Sequence, residues 1–163
     1  MTRIPDLSVP KYIWDAERIT FGIDTLAIGW LGKKSMFEKG VTSDEFRIKL
    51  LEYCKDDNVI LICLGHHICE FCVVTTEPWY SLSVERYGQN TSLLGQGNGE
   101  IRIPGKNVNY AAPSMIYHYV VEHNYKPPDE FIEAVIIGPE PTRIEYKEYL
   151  RRVRICHGEV QEW

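Results

Sequence analysis

The run Gly65-His66-His67-Ile68-Cys69-Glu70-Phe71-Cys72 holds the residue types that bear most directly on chemistry. Two cysteines separated by two residues sit on one tight turn and aim both sulfurs at a single cation, which is why the pattern recurs at tetrahedral zinc. His67 stands two residues before Cys69, so in an extended segment its ring projects to the same side. The rest of a four-donor shell must come from a distant stretch. His118 and His123, in Met115-Ile116-Tyr117-His118-Tyr119-Val120-Val121-Glu122-His123, are the candidates. Their separation falls in the His-x3–5-His range of structural zinc sites, although helical side chains five positions apart converge only where a helix end tightens or frays. At about 100° per residue, His123 shares the arc of Met115, Ile116, Tyr119 and Val120, whereas His118 points away from it. Periodicity thus favours His123 as the inward-facing imidazole. The expected cofactor is Zn2+ in a structural role, because mixed sulfur and nitrogen donors suit it and it needs no redox partner. Its ligands are expected among Cys69, Cys72, His67, His123 and His118.

Blander and sharper readings compete with this one. His123 is also readable as a hydrogen-bonded core histidine, His118 and His66 as surface residues, and the two cysteines as an ordinary reduced pair. A zinc deaminase would place His-x-Glu ahead of Pro-Cys-x-x-Cys, and here Glu70 lies inside the cysteine pair. A thiol oxidoreductase would have a helix after its cysteines, but Val73-Val74-Thr75-Thr76 favours a strand. A catalytic zinc held by His67, Cys69, Cys72 and water, with Glu70 or Glu122 as base, is the enzymatic alternative, a zinc-dependent hydrolase. Gly95-Gln96-Gly97-Asn98-Gly99 leads into a strand pattern and lacks the lysine of a phosphate-binding loop. Cys54 and Cys63 continue apolar patterns and are read as packing residues, Tyr110, Tyr117, Tyr119 and Tyr125 as core aromatics, and His157 as exposed on a fraying end.

The elements that must position these donors belong to a chain of ordinary globular composition. Its 163 residues are 44% hydrophobic and 25% charged, enough for one domain over residues 1–163 that folds without obligatory disulfides. Eighteen basic against 23 acidic residues leave a net charge of −5, which disfavours broad binding to nucleic acid or anionic membranes. Arg151-Arg152-Val153-Arg154 is flanked by glutamates and reads as a solvated helix end. No apolar run reaches the ~18 to 20 residues that span a bilayer, the first residues lack the plan of a signal peptide, and the five cysteines form an odd set. A soluble, cytoplasmic protein with reduced thiols is expected.

Along the chain, Arg18–Ile23 and Thr25–Leu31 alternate as two short strands would. Thr42-Ser43-Asp44-Glu45 reads as a capping box, with Thr42 as the cap of an amphipathic helix to about Lys55. Val59–Leu64 has the unbroken apolar character of an interior strand. Tyr80, Leu82 and Val84 suggest a strand, Gly88–Gly99 a flexible turn region, and Glu100–Ile103 another strand before the Pro104-Gly105 turn. Pro113 suits the first position of a helix ending near Asn124. Pro127-Pro128-Asp129-Glu130 starts a second that Gly138-Pro139 ends, and Thr142–Cys156 forms a third with Tyr146, Leu150 and Val153 inward. Strands first and helices later predict an α+β fold, with a small mixed or antiparallel sheet in the N-terminal two thirds.

Taken together, His67-Ile68-Cys69-Glu70-Phe71-Cys72, Glu100–Gly105 and Tyr110-Ala111-Ala112-Pro113-Ser114-Met115 through His123 to Pro127-Pro128 resemble an uncharacterised bacterial domain family of unknown function. The likeness spans about residues 25 to 137. It implies a small cytoplasmic domain in which the cysteine pair and both helical histidines belong to one pattern, and it implies no activity. The functional expectation is an accessory, interaction or immunity-type protein with another protein as partner.

Overall fold

Residues 3–65, 67–72 and 96–159 are described by the computed structural model. At their centre β5 (Asn109–Pro113) lies between β1 (Thr25–Ala27), its parallel neighbour, and the antiparallel β4 (Glu100–Pro104). Every residue of β5 is buried, so this strand is covered on both faces and along both edges. A separate antiparallel pair joins β2 (His67–Ile68) to β3 (Gln96–Gly97), His67 facing Gly97. Around the sheet stand α1 (Trp14–Phe21), α2 (Asp44–Tyr53), α3 (Ile116–His123), α4 (Asp129–Ile137) and α5 (Ile144–Cys156). The fold is α+β, with the helices concentrated towards the C-terminus.

The two last helices follow their sequence signals closely. Pro128, with extended ψ, precedes α4, whose first turn carries Asp129 and Glu130 where the helix dipole favours negative charge. On α5, Tyr146, Leu150 and Val153 are buried as their spacing predicts. Helix α2 is capped one residue later than Thr42: the Ser43 hydroxyl accepts the Phe46 N–H at 3.2 Å. Its Phe46, Leu50 and Tyr53 are buried, Phe46 against Phe131 of α4 and Tyr53 against Tyr146 of α5, and Cys54 is fully buried as expected.

Four expectations are corrected. Arg18–Ile23 is largely helix rather than strand: Ile19 is 80% exposed, so the apparent alternation marks no buried face, and Gly22 ends α1 in the left-handed region at φ 71°. Among the described residues Val59–Leu64 makes a single bridge, Ile60 to Glu100, because Leu61 at φ 51° turns the chain off the sheet edge; Ile62, Cys63 and Leu64 are exposed. At that bridge Gly99 is obligatory, since a Cβ there would lie 2.5 Å from the Val59 side chain. Pro113 closes β5 and does not open a helix, so α3 starts three residues later. His157 is largely buried, its Nε2 donating to Glu17 Oε1 at 2.6 Å. The strand expected around Tyr80–Val84, most of the Gly88–Gly99 turn region, Val73–Thr76 and His66 lie outside the described residues.

Candidate metal centre

Helix α3 presents the imidazoles. It has only eight residues, and Asn124 ends it in the left-handed conformation at φ 54°. Asparagine tolerates that region better than most residues. The N–H groups of Asn124 and Tyr125 both turn back to the Tyr119 carbonyl, the latter at 3.1 Å, which tightens the last turn where His123 sits. Tyr125 is then fixed by donating its hydroxyl to Asp6 Oδ2 at 2.7 Å.

The sulfurs arrive on the turn that follows β2. Glu70 anchors this turn, one carboxylate oxygen accepting the Lys33 N–H at 2.6 Å. Phe71 packs edge-on to Phe37 and Tyr119 and leans on the His123 ring at 5.5 Å between centroids. This aromatic contact presses Cys69 and Cys72 onto the helix. Cys69 is 3% exposed and His118 5%, while Cys72 and His123 are partly accessible.

The four donor atoms converge within 4.8 Å of one another. His123 Nε2 is 3.2 Å from Cys69 Sγ, 3.5 Å from Cys72 Sγ and 3.2 Å from His118 Nε2, and Cys72 Sγ is 3.3 Å from His118 Nε2. A tetrahedral ion with metal–sulfur bonds of about 2.3 Å and metal–nitrogen bonds of about 2.05 Å would separate its ligands by about 3.4 Å for a nitrogen pair and about 3.6 Å for nitrogen and sulfur. The observed contacts lie close to those edges. Hydrogen bonding alone accounts for them poorly: His123 Nε2 offers one proton or one lone pair, yet faces three neighbours. The group could hold a metal ion.

The charge state of the pair fits that role. The neighbouring Cys72 thiol, with His118 nearby, draws the Cys69 thiol well down against the cost of its burial. The closeness of Cys69 and burial push Cys72 up. A cation at the centre would take both sulfurs as thiolates, since only thiolates ligate.

His67 is not among the converging atoms. Its backbone pairs with Gly97, its Nε2 lies 3.9 Å from Glu70, and burial draws its pKa down. The alternation that would aim it beside Cys69 stops at Ile68, where β2 gives way to the turn. His118, placed outward by periodicity, is buried and inward, because the cysteine turn covers the side of α3 that an isolated helix would leave to solvent. Its Nδ1 has no hydrogen-bond partner among the described residues, so packing against Tyr119 sets its ring orientation.

A model of a domain of unknown function, DUF7919, matches residues 2–136. The chain belongs to this family. No curated protein and no solved structure matches it. The matched span contains all four converging donors, and it starts at residue 2 rather than near residue 25. The earlier start has a structural reason: Asp6 accepts both the Tyr125 hydroxyl and the Gly29 N–H, so the N-terminal segment helps hold the chain just after α3. Helix α5 lies beyond the DUF7919 match.

A second buried polar group escaped the sequence. Arg102, with no exposed side-chain surface, meets Glu17 Oε1 at 3.0 Å and Glu100 Oε2 at 2.5 Å, while Glu17 also takes bonds from Thr25 and His157. Burial would raise the Glu17 carboxyl, but the His157 hydrogen bond and the Arg102 charge bring it down to about 2. The available signal was Glu100-x-Arg102 in a strand whose apolar residues Ile101 and Ile103 fill the other face.

Proposed function

We propose that Cys69, Cys72, His118 and His123 form a closed, structural zinc centre, and that the chain is a non-enzymatic accessory or interaction protein of the immunity type. The convergence of four protein donors on one point carries this reading, because a catalytic zinc keeps three protein ligands and one open position. The hydrolase alternative needs an open coordination position, as in a shell of His67, Cys69, Cys72 and water with Glu70 or Glu122 as base. His67 lies outside the converging atoms, and His118 and His123 supply a third and a fourth protein donor beside the two sulfurs. Two sulfurs and two imidazoles suit zinc better than the hard cations that prefer oxygen. Five cysteines free of disulfides support a reducing, cytoplasmic setting, and a net charge of −5 supports a protein partner over nucleic acid or membrane.

Elemental analysis of the purified full chain tests the centre. One zinc per chain is expected, lost in Cys69→Ser, Cys72→Ser, His118→Ala and His123→Ala and kept in His67→Ala. A chain without stoichiometric metal, or one that loses it on His67→Ala alone, overturns the reading.

A further inference from the structure

The oxidisable and the inert donors of the metal centre are divided between two elements. Cys69 and Cys72 both ride on the turn after β2, while His118 and His123 both belong to α3. The two sulfurs lie within 4.8 Å of each other. A bond between them therefore closes inside one turn and asks no other element to move, as it would if the thiols came from separate segments. It also removes both sulfur donors at once. Two imidazoles remain, half of the tetrahedral shell that holds a structural zinc.

Access to the two sulfurs is unequal. Cys72 is partly accessible and Cys69 is 3% exposed, so a small oxidant meets Cys72 at the rim and finds Cys69 behind it. The turn also has anchors that need no metal. Glu70 takes the Lys33 N–H, and Phe71 packs on Phe37 and Tyr119. None of the other thiols is among the converging donors: Cys54 is fully buried, Cys63 is exposed and Cys156 contacts Thr20.

The geometry points to a redox switch at this site, resting on the zinc reading above: hydrogen peroxide oxidises the pair to a Cys69–Cys72 disulfide and the ion is expelled. In the first step the Cys72 thiolate attacks one peroxide oxygen; an S–O bond forms, the O–O bond breaks, and the departing hydroxide takes a solvent proton to become water. In the second the Cys69 thiolate attacks the Cys72 sulfur; an S–S bond forms, the S–O bond breaks, and the second hydroxide leaves as water with another solvent proton. The sulfurs lose two electrons, the peroxide gains them, and Zn2+ departs with the charge that the thiolates had balanced. The anchors at Glu70 and Phe71 outlast the ion and keep the turn against α3, so reduction restores the site.

The test treats the zinc-loaded full chain with hydrogen peroxide, reads released zinc with a chromophoric chelator and maps the cysteines by peptide mass spectrometry. One zinc released per Cys69–Cys72 disulfide is expected, and a phosphine reductant with added zinc should restore the starting content. Cys63→Ser/Cys156→Ser keeps the pair and removes the other accessible thiols; its zinc release should match the unmodified chain within about twofold. Zinc content before oxidation separates the two readings: a chain that holds no zinc overturns the centre itself, and one that holds zinc without responding overturns the switch alone. Zinc retained after Cys63 has been oxidised, zinc lost with the pair as sulfinic or sulfonic acids, a disulfide from either cysteine to another thiol, or release abolished in Cys63→Ser/Cys156→Ser would each overturn the switch.

Discussion

His123 Nε2 is the atom on which the centre turns, because it faces both sulfurs and the other imidazole within 3.5 Å. Replacing it leaves three of the four converging donors, one imidazole short of a closed shell. His123→Ala should therefore lose bound metal and lower the thermal midpoint by more than about 5 °C, the scale of a few kcal/mol in a chain of this size. His67→Ala should leave both within error, measured by elemental analysis and calorimetry. Much of this centre was legible at the residue scale. Cys-x-x-Cys and the two histidines are short local patterns whose chemistry does not depend on the surrounding fold. The inward turn of His118 was not legible, since a helical wheel knows nothing of a loop packing on its polar side.

At the scale of elements, the placement of His123 depends on how α3 ends. Asn124→Ala should cost about 1–2 kcal/mol in denaturant unfolding, the penalty of a left-handed conformation for a residue without a short polar side chain, and should speed zinc loss to a chelator. Ser43→Ala removes the α2 cap and should cost about 1 kcal/mol without altering metal content, because α2 contributes no donor. Helices α2, α4 and α5 could be read from the sequence because a capping motif at α2, the prolines before and after α4, and the apolar spacing of α5 each mark them locally. The short elements could not. Three residues suffice for β1 once β5 lies beside it, and a positive φ at Leu61 ends a strand pattern that its side chains favour. Those outcomes are decided by neighbours distant in the chain, as is the burial of Pro113 in β5.

Across the whole molecule, two separate nodes tie distant segments together. One is the candidate metal centre, joining residues 54 apart in Cys69 and His123. The other is the buried ionic group, in which Arg102 and His157 reach Glu17 across 85 and 140 residues, a separation no local pattern announces. Arg102→Leu would leave two carboxylates buried without their cation and should destabilise by about 3–5 kcal/mol. The pH dependence follows in sign. The Glu17 carboxyl is depressed to about 2 in the folded chain, so its contribution is present above the ordinary carboxylate range and is lost as pH falls from about 4.5 to about 2. Unfolding of Glu17→Gln, followed by denaturant at a series of pH values, should show a flatter acid limb than the unmodified chain. The most direct measurement of the central claim is zinc-edge X-ray absorption on the purified full chain. Two sulfurs at about 2.3 Å and two nitrogens at about 2.0–2.1 Å around each ion are predicted; a shell with fewer than two sulfurs, or with oxygen in place of an imidazole, would contradict it.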